Sequence, residues 1–239
     1  MNILLILLMV SMVVVFMQRH KAPKLATMAL GVLVALSFVF IGVRFFASAS
    51  RSAAAAAAAF ETFEQASAYR LGQALAEDIP AESSILVLHG GFYREAGQDR
   101  LNKLVSALED GLDAPYILNV EGPDMSQIDY EEDDLELFDL DMMNETSFVE
   151  YLSRHPDTDA VVSFIGTPYF HRFPEPESVP PLYVMGGMEF EHDREALEQG
   201  LLEACVVFRT DVDWNARPRR GMKYEEVFNL RYKLLRPDR

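Results

Sequence analysis

The chain has 239 residues, a formal net charge of −16 at pH 7 and a single cysteine. The acidic balance argues against a nucleic-acid binder, because phosphate contacts need a basic face. One cysteine excludes an intrachain disulfide and a multi-cysteine metal site, and Cys205 sits in a strand-like run as a small hydrophobe.

Residues 1–46 read as two transmembrane helices. Asn2–Met17 is apolar throughout, and it lacks the basic n-region and small-residue cleavage site of a signal peptide. Leu25–Val43 is long enough to cross a bilayer. The link Gln18–Lys24 carries Arg19, Lys21 and Lys24, and such a bias in a short loop favours the cytoplasmic side. Both termini are then expected outside, with the chain in the cell (inner) membrane and its C-terminal domain extracytoplasmic. Thr27, Gly31 and Ala35, spaced by four, form a candidate helix-packing face in lipid.

Residues 47–79 read as an alanine-rich helical stalk. Ala53–Ala59 is polyalanine, the best helix former, and no proline follows until Pro80. Phe60, Phe63, Ser67, Leu71, Ala74 and Leu75 fall on one side of that helix. A lone helix in water cannot bury this stripe. It is expected to pack on the chain's own domain, on another copy or on a partner; the alternative is a plain spacer.

Residues 80–239 read as an α/β domain. Strands are expected at Ser84–Leu88, Tyr116–Val120, Ala160–Ile165, Leu182–Met185 and Ala204–Phe208, separated by helical periods. Leu101, Leu104, Val105 and Leu108 mark one helix, ended by Gly111. Ser147 and Glu150 resemble a capping box, and Asp193–Leu202 reads as another helix. Such alternation implies a Rossmann-like, mostly parallel sheet covered by helices on both faces. The run Phe228–Leu234 alternates strictly, as a half-exposed edge strand does.

Several stretches carry a family resemblance. They are Ile85–Gly91, Arg100–Gly111, Phe148–Gly166 with its Asp-Ala-Val-Val strand start, Val179–Gly187, and Glu195–Phe208 with Gly200, Leu202, Ala204 and Val206 in place. Together they resemble one lobe of the type I periplasmic sugar-binding proteins and the related effector domains of lactose-repressor-like regulators. The resemblance implies ligand contact at the carboxyl ends of the strands. It also exposes a departure: members of that family clamp ligand between two lobes, and this chain has room for one.

In such sheets ligands meet the carboxyl ends of the strands. The candidate ligand residues there are His89, Gly90, Gly91, Glu121, Thr167, Gly187 and Arg209. Candidate interaction residues are Thr27, Gly31, Ala35, Phe60, Phe63 and Leu71, with Tyr169, Phe170 and Phe173 in the proline-bounded loop 168–181. Leu88-His89-Gly90-Gly91 resembles the oxyanion stretch of lipases, but no G-x-S-x-G nucleophile elbow occurs, so no catalytic residues and no enzyme activity are expected. The insert 121–143 contains ten acids and no base between Glu121 and Asp141. It lacks the spacing and glycine of an EF-hand loop, so it reads as a solvated insert rather than a calcium cage. His155, His171 and His192 show no metal-ligand spacing and read as surface residues; no metal and no cofactor are expected. Asn144-Glu145-Thr146 matches a glycosylation acceptor, but Asn144 more simply starts a helix.

These features lead to a membrane-anchored, non-enzymatic accessory or scaffold subunit that contacts other subunits, or other copies, of a membrane assembly. The alternative is an extracytoplasmic sensor or capture subunit that binds a small solute at the strand ends.

Overall fold

The structure, a computed structural model, describes residues 11, 13–17, 23–90, 94–123, 144–186 and 191–237; within helices, the side chains of 23, 25–31, 35–51 and 94–96 lie outside that description. The chain divides into two compact units, Met1–Ala58 and Ala59–Arg239. Helix α1, Pro23–Asp78, has residues in both.

In the first unit, residues 13–17 are helical, and Val13, Val14, Phe16, Met17 and Val32 expose their apolar side chains. Among the described residues, no helix is long and apolar enough to cross a membrane. Thr27, Gly31 and Ala35 lie on α1 but outside the residues whose side chains are described.

The second unit is a six-stranded sheet in the order β2-β1-β3-β4-β5-β6. Its strands are β1 Ser84–Leu88, β2 Ile117–Glu121, β3 Ala160–Ser163, β4 Leu182–Met185, β5 Leu202–Phe208 and β6 Tyr232–Leu235. The first five run parallel, and β6 closes one edge antiparallel to β5. The helices of this unit are α2 Arg94–Leu112, α3 Glu145–Arg154, α4 Glu191–Glu198, α5 Tyr224–Asn229 and the last part of α1.

Side-chain alternation along β1 assigns the two faces. Ile85 and Val87 pack with Phe63, Leu71 and Leu75 of α1, Leu104 and Leu108 of α2, and Val227 and Phe228 of α5. Leu86 and Leu88 pack with Phe148 and Tyr151 of α3, Ala196 and Leu197 of α4, and Phe170 of the 168–181 loop. Because both faces are covered, the central strands are apolar at nearly every position. At the β2 edge Ile117 and Val120 stay exposed.

The part of the expected stalk from Ala59 on is therefore a core helix of the lobe. Phe63, Leu71, Ala74 and Leu75 are fully buried against the chain's own sheet. Full burial of a leucine or phenylalanine stabilises by about 1.5–3 kcal/mol, so this stripe is a principal part of the core. Two glycines permit the approach. A Cβ on Gly72 would lie 2.3 Å from the Leu108 carbonyl oxygen, and one on Gly111 2.1 Å from that of Tyr69. Gly111 was expected to end a helix; α2 ends one residue later, at Leu112, and Gly111 sits at this crossing.

Polar contacts fix the same segment. Glu64 receives a bidentate pair from Arg100, whose Nε donates at 2.8 Å, and Lys103 reaches Glu61 at 2.7 Å. At the far end Asp78 accepts from the Tyr183 hydroxyl at 3.0 Å and from Arg236 at 3.1 Å. Burial pushes the Tyr183 phenol far above its ordinary pKa, with the Asp78 charge adding to the effect.

Two local expectations shift. The cap of α3 is Asn144, whose side chain accepts from the Ser147 backbone at 2.9 Å, so Ser147 is the third helical residue rather than the cap. Phe228 and Asn229 belong to α5, and the edge strand starts at Tyr232. The apolar alternation in 228–234 arises because Phe228 closes a helix against the same core that Tyr232 enters as a strand.

Candidate functional site

The crossovers decide where a site can form. The connection from β1 to β2 runs through α2 on one face, and that from β2 to β3 runs through α3 on the other. The winding reverses between β1 and β3, and ligands of open parallel sheets bind in the crevice at the carboxyl ends there.

On the β1 side of this switch, the backbone N–H of His89 donates to the Glu121 carbonyl at 3.0 Å. Gly90 is buried. The His89 Nδ1 lies 2.7 Å from the Gly90 carbonyl, and its ring lies where a Cβ on Gly122 would come within 2.4 Å. On the β3 side, Ser163 donates its hydroxyl to the Gly166 carbonyl at 2.6 Å, and Gly166 turns the chain at φ +93°. A side chain on Gly166 would meet nothing within 4 Å, so this turn borders open space. Thr167 donates its hydroxyl to Asp193 at 2.5 Å, and Asp193, in the first turn of α4, is only 4% exposed.

The seven candidate ligand residues separate into groups. His89, Gly90 and Glu121 come together at the β1–β2 end, whereas Thr167 follows β3 and contacts Asp193 of α4. Glu121 is turned outward to α3, pairing with His155 Nε2 at 2.9 Å and Arg154 at 3.2 Å. Arg209 does not join them. It lies after β5, three strands from β1 in sheet order, or about 14 Å at 4.8 Å per strand. There it donates to Asp211 at 3.0 and 2.9 Å and to the Asn229 carbonyl. That pairing holds the Asp211 carboxyl below the usual carboxylate range. Gly91 and Gly187 fall outside the described residues, as do residues 124–143 of the acidic insert.

Asp193, Arg154 and His155 were absent from the sequence-derived set. Asp193 reads from sequence as an acid in a helix first turn, a common placement. His155 belongs to no motif, and its link to Glu121 spans 34 residues. Among the described residues, no group of three or more His, Cys, Asp or Glu side chains could hold a metal ion.

The interaction residues also separate. Phe63 and Leu71 are fully buried within their own lobe, so they offer no contact to a partner. Phe60 stays 46% exposed, with the Arg100 guanidinium 5.7 Å from its ring centroid. In the 168–181 loop, Phe170 is buried edge-on against Phe148. Tyr169 remains exposed, and Tyr169 and Phe173 both stack on His192 of α4. A cleft of about 580 Å³ opens between this loop and α4, lined by His171, Arg172, Glu175 and Glu195 among others.

The lobe resembles periplasmic sugar-binding proteins. One similar structure is the substrate-binding protein of a sugar ABC transport system from Bordetella parapertussis: 16% identity, TM-score 0.40, covering 60% of this chain and 41% of that one. Another is a periplasmic ribose ABC transporter protein from Conexibacter woesei, at 14% identity and TM-score 0.40, covering 61% and 45%. A third is GanP, a glucose-galactose binding protein from Geobacillus stearothermophilus, at 16% identity and TM-score 0.41, covering 73% and 60%. The chain spans less than half the length of the first two. No family model matches the sequence, and no curated protein is significantly similar to it.

Proposed function

We propose that the second unit is a non-catalytic binding lobe that takes a small polar solute at the carboxyl edge of its parallel sheet. We further propose that the apolar N-terminal segments hold it at the outer face of the cell membrane. The observation that carries the solute reading is the switch point between β1 and β3. There the buried Gly90 follows β1, the turn at Gly166 that follows β3 borders open space, and Thr167 is oriented by the buried Asp193.

The scaffold reading drew on an apolar stalk stripe in need of a partner. That stripe packs on the chain's own sheet, which removes its main support. The anchor reading draws on the 25–43 run and on the exposed Val13, Val14, Phe16 and Val32.

Pentoses and hexoses are the first class to test, since the similar proteins are named for ribose, glucose and galactose. A single lobe covers only one side of a solute, so affinity is modest, on the order of millimolar, or about −4 kcal/mol. The test is saturation-transfer NMR on the full chain in mild detergent, using a panel of monosaccharides, amino acids and small organic acids. Saturable binding of at least one compound, weakened at least tenfold by Thr167→Trp, is the expected result. A panel with no saturable member would sink the reading.

A further inference from the structure

Residues 209–223 connect β5 to α5 at the carboxyl edge of the sheet. The chain enters the second unit at this same edge, and Arg231 joins the two places. Its guanidinium lies 4.0 Å from the Phe63 ring centroid on α1. Its Nη2 donates to the carbonyls of Trp214 at 3.1 Å and Ala216 at 3.5 Å.

The charge here runs against the rest of the molecule. Residues 80–208 carry 28 acids and 6 bases, whereas residues 209–239 carry 9 bases and 5 acids. Arg217, Arg219, Arg220 and Lys223 are exposed. Among the described residues, none of the three arginines has an ion pair. Three of the nearby acids are already engaged: Asp211 by Arg209, Asp213 by the Asn215 backbone N–H, and Glu226 by the Lys223 backbone N–H; Glu225 is exposed. Trp214 is 49% exposed, with its ring edge-on to Phe208 at 5.3 Å. An exposed indole beside clustered arginines suits the headgroup level of a bilayer. Tryptophan concentrates there, and basic side chains are drawn to anionic lipid.

We propose that the Trp214–Lys223 loop docks on anionic phospholipid headgroups and holds the carboxyl edge of the lobe against the bilayer. This rests on the reading of the N-terminal segments as a membrane anchor. The apolar run ends at Val43 and the second unit begins at Ala59. Anchoring through this short helical segment, about 16 residues, keeps the loop near the lipid surface and raises its effective concentration there. Each basic side chain near an anionic surface favours the bound state about fivefold, so removing three weakens docking on the order of 100-fold.

Trp214 is the only tryptophan, so intrinsic fluorescence of the full chain reports this loop alone. The protein is reconstituted into nanodiscs of phosphatidylcholine with or without phosphatidylglycerol. The expected result is acrylamide quenching several-fold weaker with phosphatidylglycerol, and direct quenching by brominated phosphatidylglycerol. The combined Arg217→Gln, Arg219→Gln and Arg220→Gln variant, with an unchanged circular dichroism spectrum, returns to the phosphatidylcholine value. Equal quenching of the wild type in both lipids overturns the proposal. A chain recovered outside the nanodiscs refutes the anchor, and preformed vesicles then test the loop on its own. Phosphatidylglycerol-dependent co-sedimentation lost in the triple variant supports it, and no lipid dependence overturns it.

Discussion

Replacing Gly72 or Gly111 with alanine separates two accounts of residues 59–78. In an exposed helix either change would stabilise the protein, by up to about 1 kcal/mol, because glycine is the poorer helix former. In the structure the new Cβ would lie 2.3 Å from the Leu108 oxygen or 2.1 Å from the Tyr69 oxygen, both backbone atoms that no side-chain rotation can clear. The two helices must part by about 1 Å. A gap of that size forfeits a quarter to a half of each dispersion contact across it, and Leu71, Leu75, Leu104 and Leu108 all lie in this core. Overpacking of this kind costs about 1–3 kcal/mol, so after the propensity gain of up to about 1 kcal/mol a net loss of about 1 kcal/mol is expected for each variant. At about 2–4 °C per kcal/mol for a domain of this size, the melting temperature falls by roughly 2–4 °C. Thermal unfolding followed by circular dichroism in mild detergent provides the measurement. A rise in melting temperature for both variants would refute the docking of α1 on α2.

Asp78→Ala should destabilise by about 2–3 kcal/mol in denaturant titrations, because it strips an acceptor from the buried Tyr183 hydroxyl and from Arg236. Tyr183→Phe should cost only about 1 kcal/mol, and equal effects would contradict the shared acceptor. Tyr232 is buried, and burial pushes its pKa up to about 12. The unfolded value is about 10, so its contribution is full below pH ~10 and is lost as pH rises through ~12. Tyr232→Phe should therefore flatten the stability profile in that window, and an unchanged slope would count against the burial. Gly166→Ala should cost about 1–2 kcal/mol from backbone strain alone, since φ is +93° and no atom obstructs the new methyl group. A neutral effect in thermal unfolding would show that the turn after β3 adopts another conformation.

The parallel sheet was legible because its strands are short apolar runs bounded by glycine and polar residues. The strands Ser84–Leu88, Ala160–Ser163 and Leu182–Met185 follow from these runs, whereas their order in the sheet does not. The role of α1 was not legible. The Phe63–Leu75 stripe shows that a helix must bury one side, yet it does not say against what. Pro80 looks like a boundary although the core extends to Ala59. The crossing depends on Gly72 meeting Gly111, and the Glu64–Arg100 pair spans 36 residues. Such pairings leave no local pattern in the sequence. The site was partly legible for a similar reason. Strand ends follow from the strands, so the positions of His89, Gly90 and Thr167 just past them were legible. Partner choice depends on which elements become neighbours, so the Thr167–Asp193 and Glu121–His155 pairs were not, and Arg209 was grouped with residues several strands away.

The central claim is that a small solute binds at the β1–β3 switch point. Amide chemical shifts of the full chain, selectively labelled at glycine and threonine, test it most directly during titration with the best-binding solute. Saturable shifts at Gly90, Gly166 and Thr167, with Gly72 and Gly111 unmoved, are the predicted result. Binding that leaves Gly90, Gly166 and Thr167 unmoved would contradict the claim.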